Sequence, residues 1–155
     1  MIKNWGKYYE WADLRIIALL EDLDEALFAK VLAGCDRSLR DYTEHLVLYY
    51  DYFTKRESGV SFDKLKIALE KMSKKSLLSH WKGILPEFAA SVDGLTDKPL
   101  DIPGPDGVQI KVSREEYLFC YTDHATYHRG QLITTYKAIT GKPVVNTDFY
   151  EFLFQ

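Results

Sequence analysis

Two cysteines, Cys35 and Cys120, are too few for a disulfide framework, which fits residence in a reducing compartment. Long apolar runs are also missing: Ile16–Leu20 spans five residues, where a membrane span needs about 20. Nor is there a basic surplus. A net charge of −3 removes any overall electrostatic reason to bind nucleic acid. Glu10, Asp13 and Arg15 interrupt what would be the apolar region of a secretory leader, so a cytoplasmic location is expected. Repeats and low-complexity segments are absent, and the expected partner is a small molecule rather than nucleic acid or a membrane.

What is present is an ordinary globular balance, 46% hydrophobic and 28% charged over 155 residues, enough to bury one core in a single domain, 1–155. Aromatic residues reach 14%, eleven of them tyrosines, which predicts wide aromatic packing. A surplus of that size over one small core also predicts self-association, as a symmetric homodimer.

Apolar periodicity divides the chain into four helices. The first is read over about residues 7–33, because Ile16, Leu20, Leu23, Leu27 and Val31 share one stripe and Gly34 suits a stop. A second starts near residues 36–38 and carries Leu39, Leu46, Tyr49, Tyr50 and Phe53 to about Arg56, before Ser58-Gly59. A third begins after Ser61 with Phe62, Leu65, Leu69 and Met72 on one side, and Pro86 should kink or restart it near Leu85. Residues 93–112 form a long loop, in which Pro103-Gly-Pro-Asp-Gly107 could close a small hairpin between Leu100-Asp-Ile102 and Val108–Val112. The fourth helix has the clearest ends: Ser113-Arg-Glu-Glu116 is a capping box, and Gly141 and Pro143 mark the stop. The aromatic tail, residues 149–154, should fold back onto the rest. The fold class is all-α, a four-helix bundle.

The informative segment is Asp123-His124-Ala-Thr-Tyr-His128-Arg-Gly-Gln131. Histidines four residues apart on a helix project from one face, where both imidazoles can reach a single divalent ion. Such pairs also arise by chance, and two ligands hold a metal poorly. His45, in the middle of the second helix beside Tyr42 and Tyr49, is the candidate third. The row Tyr117, Tyr121, His124, His128, Gln131, Thr135 runs beside the apolar row Leu118, Ala125, Leu132, Ile139. A bundle helix that turns so many polar groups inward does so for a site, since unpaired polar groups inside are costly. Alanine stands where His-Glu-x-x-His would carry its general base, so the metalloprotease chemistry fails. Cys120, one turn before His124, reads as core packing rather than a fourth ligand. His80 has no partner at ligand spacing, Arg129 reads as a salt bridge inside the bundle, and the lysines at 64, 66, 71, 74 and 75 as a solvated face.

The pattern His-x-x-x-His-Arg-Gly-Gln at His124–Gln131, with a histidine in the second helix, resembles the DinB/YfiT-like family, which is unrelated to the DNA polymerase sharing that name. Tyr9-Glu-Trp-Ala-Asp-Leu-Arg15 is similar to the family's Trp-Ala-Asn-x-Arg opening, and Ser38-Leu-Arg-Asp41 with His45-Leu46 to its second-helix segment. The resemblance implies an up-down-down-up four-helix bundle in which His45, His124 and His128 bind one divalent metal, nickel or zinc. Relatives include S-transferases using bacillithiol, mycothiol or glutathione, a mycothiol-dependent isomerase, and metal-dependent hydrolases. Asp123 stands where the family often has asparagine, and Tyr127 where it often has a further histidine.

Three neutral imidazoles leave metal positions open, the mark of a catalytic site. Each ligand's other ring nitrogen needs an acceptor, for which Asp123 and Gln131 are candidates, while Tyr49 and Tyr121 can line a pocket. Thiol transfer to a small electrophile, with a low-molecular-weight thiol as co-substrate, is favoured over hydrolysis, because no carboxylate in the motif can take a proton from water. A non-catalytic metal binder in a stress response is the alternative.

Overall fold

The computed structural model describes residues 4–55, 58–94, 98–103 and 108–155. Its elements are α1 (Trp5–Glu21), α2 (Glu25–Phe28), α3 (Leu39–Lys55), α4 (Phe62–Glu70), α5 (Lys74–Asp93), β1 (Leu100–Pro103), β2 (Gln109–Val112), α6 (Arg114–Thr140) and α7 (Phe149–Phe152). Four long helices, α1, α3, α5 and α6, make the bundle. Among the described residues no helix is long and apolar enough to cross a membrane.

Side-chain pairings fix the helix directions. Gly6 at the start of α1 abuts Ala89 near the end of α5, so closely that an added Cβ would stand 2.5 Å from the Ala89 carbonyl oxygen. At the other end, Lys74 reaches back to α1, so these two helices run opposite ways. Tyr9 donates to the Thr122 carbonyl and Arg129 meets Asp13, so α6 runs parallel to α1. Tyr42 packs near His128 and Phe53 on Tyr117, so α3 opposes α6. Asp51 meets His80 and Phe53 meets Phe88, so α3 and α5 run together. The order is up-down-down-up.

The single first helix expected over residues 7–33 is instead two. The apolar stripe does continue past residue 21, but the chain turns at Asp22, and Asp24 caps α2 by accepting from the Leu27 N–H at 2.7 Å. Buried Lys74 donates to the carbonyls of Glu21 and Leu23, supplying partners that the end of α1 would otherwise lack. Gly34, taken as the stop, sits further on in a left-handed turn at φ 82°. Pro86 does not restart a helix either. The break falls between α4 and α5, where Ser73 caps the new helix, and α5 runs unbroken through Pro86. Pro86 and Lys82 both lie on the exposed face, so the Lys82 carbonyl deprived of its donor is open to water.

Other expectations fit. β1 and β2 pair antiparallel, Leu100 opposite Val112, as the small hairpin before the last long helix; residues 104–107, the proposed turn, lie outside the described residues, as does Arg56. Ser113 and Glu116 form the capping box, and Gly141 ends α6 at φ 67°. The tail folds back in part, Phe149 and Phe152 packing on Tyr8 while Tyr150 and Phe154 stay exposed. Much of the aromatic surplus is internal: Tyr8, Tyr9, Phe28, Tyr50, Phe53, Trp81, Phe88 and Tyr117 are buried.

Candidate metal centre

His45 lies in the middle of α3 and His124 and His128 in the middle of α6, where the two helices cross in opposite directions. Four-residue spacing stacks the second pair one turn apart, with ring centroids 4.3 Å from each other. His45 enters between them from α3, its ring 5.0 Å from His124 and 4.5 Å from His128. The Nε2 atoms of His45 and His124 are 3.1 Å apart, and one ligand nitrogen from each of the three residues falls within 4.8 Å of the others. Two nitrogens bound at 2.0–2.1 Å to one tetrahedral ion stand about 3.3 Å apart, so this donor set fits a divalent metal.

The surroundings orient and neutralise the rings. His128 Nδ1–H donates to Gln131 Oε1 at 2.6 Å, which leaves Nε2 free for the cluster. Tyr49 lies against His124 with centroids 4.1 Å apart and against His45 at 4.9 Å. Burial, and then the charges of the neighbouring rings, bring His45 down to about 4, and burial followed by His128 does the same for His124. Burial also lowers His128, although its bond to Gln131 works the other way. The rings are therefore neutral at physiological pH, the form that ligates.

Tyr121 sits one layer deeper, between Phe53 and Tyr117, with its hydroxyl at hydrogen-bond limit, 3.5 Å, from that of Tyr117. Burial raises its pKa far out of the neutral range, so it serves as wall and not as acid. Asp123 is placed elsewhere. It is exposed and lines a cleft of about 580 Å³ on the opposite face of α6, together with Trp5, Tyr8, Phe119 and Phe149. Among the described residues no hydrogen bond joins it to a ligand ring.

Further sequence expectations resolve in the same frame. Cys120 is exposed, so it is neither core packing nor a fourth ligand. Arg129 is the expected internal salt bridge: 1% exposed, it meets Asp13 at 3.4 Å and donates to Tyr8 Oη and Thr126 Oγ1. Burial pushes the Asp13 carboxyl above its ordinary value, and the Arg129 charge only partly pulls it back. His80 has a partner after all, Asp51 at 2.6 Å, but stands apart from the metal cluster. Hydrogen bonds from His80 and Lys55 outweigh burial and hold the Asp51 carboxyl below its usual range.

Arg37 and Glu44 carried no signal in the sequence. Both line a cavity of about 380 Å³ whose wall includes His45, with Asp36, Asp41, Leu48, Lys66, Leu69 and Glu70. Arg37 is near enough to make protonation of all three histidines harder. Burial raises the Glu44 carboxyl above its ordinary value against the pull of Arg40, which it meets at 2.7 Å. The cluster thus has a roofed side against Tyr49 and a side opening to a charged cavity.

Compared with known proteins, the family model described as DinB family matches residues 3–155, nearly the whole chain. No curated protein matches the sequence.

Proposed function

The chain belongs to the DinB family, and from that premise we propose that it is a divalent-metal-dependent transferase that joins a low-molecular-weight thiol to a small electrophile. The observation that carries the reading is the open three-histidine cluster. Structural metal sites close with four protein ligands, whereas three leave a position for a reactant. A divalent ion there, nickel or zinc, supplies Lewis-acid chemistry that lowers the pKa of a thiol from about 8.5 into the neutral range. The thiol would give up its proton to solvent water, its sulfur would attack carbon to form the new S–C bond, and the leaving group would depart with the electrons of the bond it held. The residues of the chain do the positioning. Gln131 fixes the His128 tautomer, Tyr49 packs on two ligand rings, and Tyr121 with Phe53 closes the floor.

Hydrolysis is the second reading, and Glu44 is what favours it. A half-buried carboxyl with a raised pKa in the cavity that His45 lines could take a proton from water. Its bond to Arg40 holds it as a salt bridge, which supports the thiol reading instead. The test is to give the metal-loaded protein a chromogenic electrophile with bacillithiol, with glutathione, or with no thiol. Turnover that depends on thiol and disappears in His124→Ala is expected. Turnover indifferent to thiol but lost in Glu44→Gln would assign hydrolysis, and metal binding without either activity would assign a non-catalytic binder.

A further inference from the structure

Arg37 precedes α3 in the loop and is half-buried beside the histidine cluster. Among the described residues its ring contact is Tyr42, whose centroid lies 6.0 Å from the guanidinium carbon, the outer limit of a cation–π interaction. The Tyr42 ring in turn lies 6.2 Å from that of His128. Among the described residues Arg37 has no hydrogen bond and no ion pair. Its five N–H donors are therefore available to an incoming acceptor, with no partner among those residues to be displaced first.

The other charges around the cavity are mostly paired. Asp41 accepts from the Ser38 N–H and hydroxyl, Glu44 is held by Arg40, and Glu70 lies 3.9 Å from Lys66. Asp36 is exposed and faces water. Among the described residues Arg37 is the wall's cation without an ion pair, and it lines a cavity of about 380 Å³ that His45 also lines. That volume suits a small molecule rather than a macromolecule. A carboxylate fits the planar fork of a guanidinium through two parallel hydrogen bonds, and it brings half the charge of a phosphate dianion toward the four carboxylates of the wall.

We propose that Arg37 is the specificity residue of this site, and that the small molecule meeting the histidine cluster carries a carboxylate which Arg37 holds. The inference rests on the metal-site reading above for its reaction, but the carboxylate contact is separate from the metal. The carboxylate travels either on the thiol or on the electrophile.

Arg37 can be followed by its Nε–H resonance in protein labelled at arginine with ¹⁵N, assigned by its loss in Arg37→Gln. The probes are 3-mercaptopropionate and 3-chloropropionate, each against its methyl ester, titrated into the metal-free and the zinc-loaded chain. At least one acid should shift the resonance saturably and bind at least ~10-fold tighter than its ester, as expected of a charge-assisted hydrogen bond. Which acid does so tells whether the carboxylate travels on thiol or electrophile. In Arg37→Gln the preference should vanish while zinc affinity stays the same, and Arg37→Lys should restore part of it. Acid and ester binding alike, or a preference that survives Arg37→Gln, would overturn the proposal. If the preference is present but zinc fails to bind or to tighten the thiol acid, the carboxylate contact stands and the metal reading falls.

Discussion

The two faces of α6 carry polar groups into the same bundle and treat them in opposite ways. Toward α1, Arg129 meets Asp13, which is fully buried at 0% exposure, and donates to Tyr8 and Thr126. Tyr50 and Trp81 turn polar atoms toward the same carboxylate. Toward α3, three imidazoles converge with no counter-charge among them, two of them half-buried, beside a cavity lined by Arg37, which has no ion pair among the described residues. The face toward α1 pairs its two buried charges with each other, although Asp13 Oδ2, Tyr50 Oη and Trp81 Nε1 make no hydrogen bond of good geometry and a cleft of about 580 Å³ opens beside Arg129. The other brings one nitrogen from each of three rings within 4.8 Å of the others, with no carboxylate among the described residues bonded to any of them. Burial alone therefore does not mark a functional site; the mark here is three like ligand atoms converging beside a cavity, where the face toward α1 instead sets opposite charges against each other.

The contrast can be broken first at the closed face, where the largest effect is expected. Asp13→Ala leaves the Arg129 charge buried without its partner, which should destabilise folding by about 3–5 kcal/mol. Replacing both members, Asp13→Leu with Arg129→Met, should cost much less, since no charge is then stranded. Denaturant unfolding of the two variants checks this. Zinc affinity of the folded fraction of Asp13→Ala should stay within a few-fold of wild type. A large loss would show that the two faces are one coupled unit.

How much of this division could be read beforehand depends on whether the deciding contact is local. The i, i+4 pair His124/His128 is visible because helical periodicity brings it together, and His45 because it is a lone histidine in the middle of the second helix. The capping box at Ser113 and the stop at Gly141 are likewise local chemistry. The break after Glu21 was hidden, because the stripe of Ile16, Leu20, Leu23 and Leu27 runs straight across it. Lys74, about fifty residues away in sequence, donates to the Glu21 carbonyl at the end of α1 and to the Leu23 carbonyl just beyond it, a contact no local pattern foretells. Pro86 misled in the opposite sense, since its effect depends on which face it occupies. Asp123 looked like an acceptor for a ligand ring by adjacency, yet one residue along a helix is a rotation of about 100°. Arg37 lies in a loop, where no period exists to point it anywhere.

At the open face the next largest effect is expected. His128→Ala removes one of three donors, and the loss of metal affinity should exceed the 10–100-fold typical of deleting a partner that only orients a ligand. Calorimetric titration of zinc or nickel into wild type and variant measures it. Metal at about 100 times its dissociation constant should stabilise wild type by about 2.7 kcal/mol, and a chelator should reverse this. The variant at the same concentration should gain little. Equal affinity in the two proteins would sink the metal centre, and with it the difference between the faces.

The smallest effect concerns protons in the metal-free protein. His45 and His124 stand at about 4 when folded against an ordinary 6.5, and His128 is lowered too. A folded value below the unfolded one means that the unfolded chain binds more protons between those limits. The stability these rings contribute is then fully present above pH 6.5 and is lost as pH falls toward 4. Because His45 and His124 are half-exposed, only part of the shift becomes stability, so a loss of ~2–4 °C in melting temperature between pH 7 and 5 is a fair size. The His124→Gln variant should lose less than wild type over the same interval, and that difference isolates the cluster from other titrating groups. The same lowering delays proton competition for the metal. Affinity should hold well below pH 6.5 and fall only as the value near 4 is approached, where an ordinary histidine site would already have released its ion. A midpoint for zinc release at pH 6 or above under saturating metal would show that solvent reaches the rings freely, and that the open face is an unshielded surface patch.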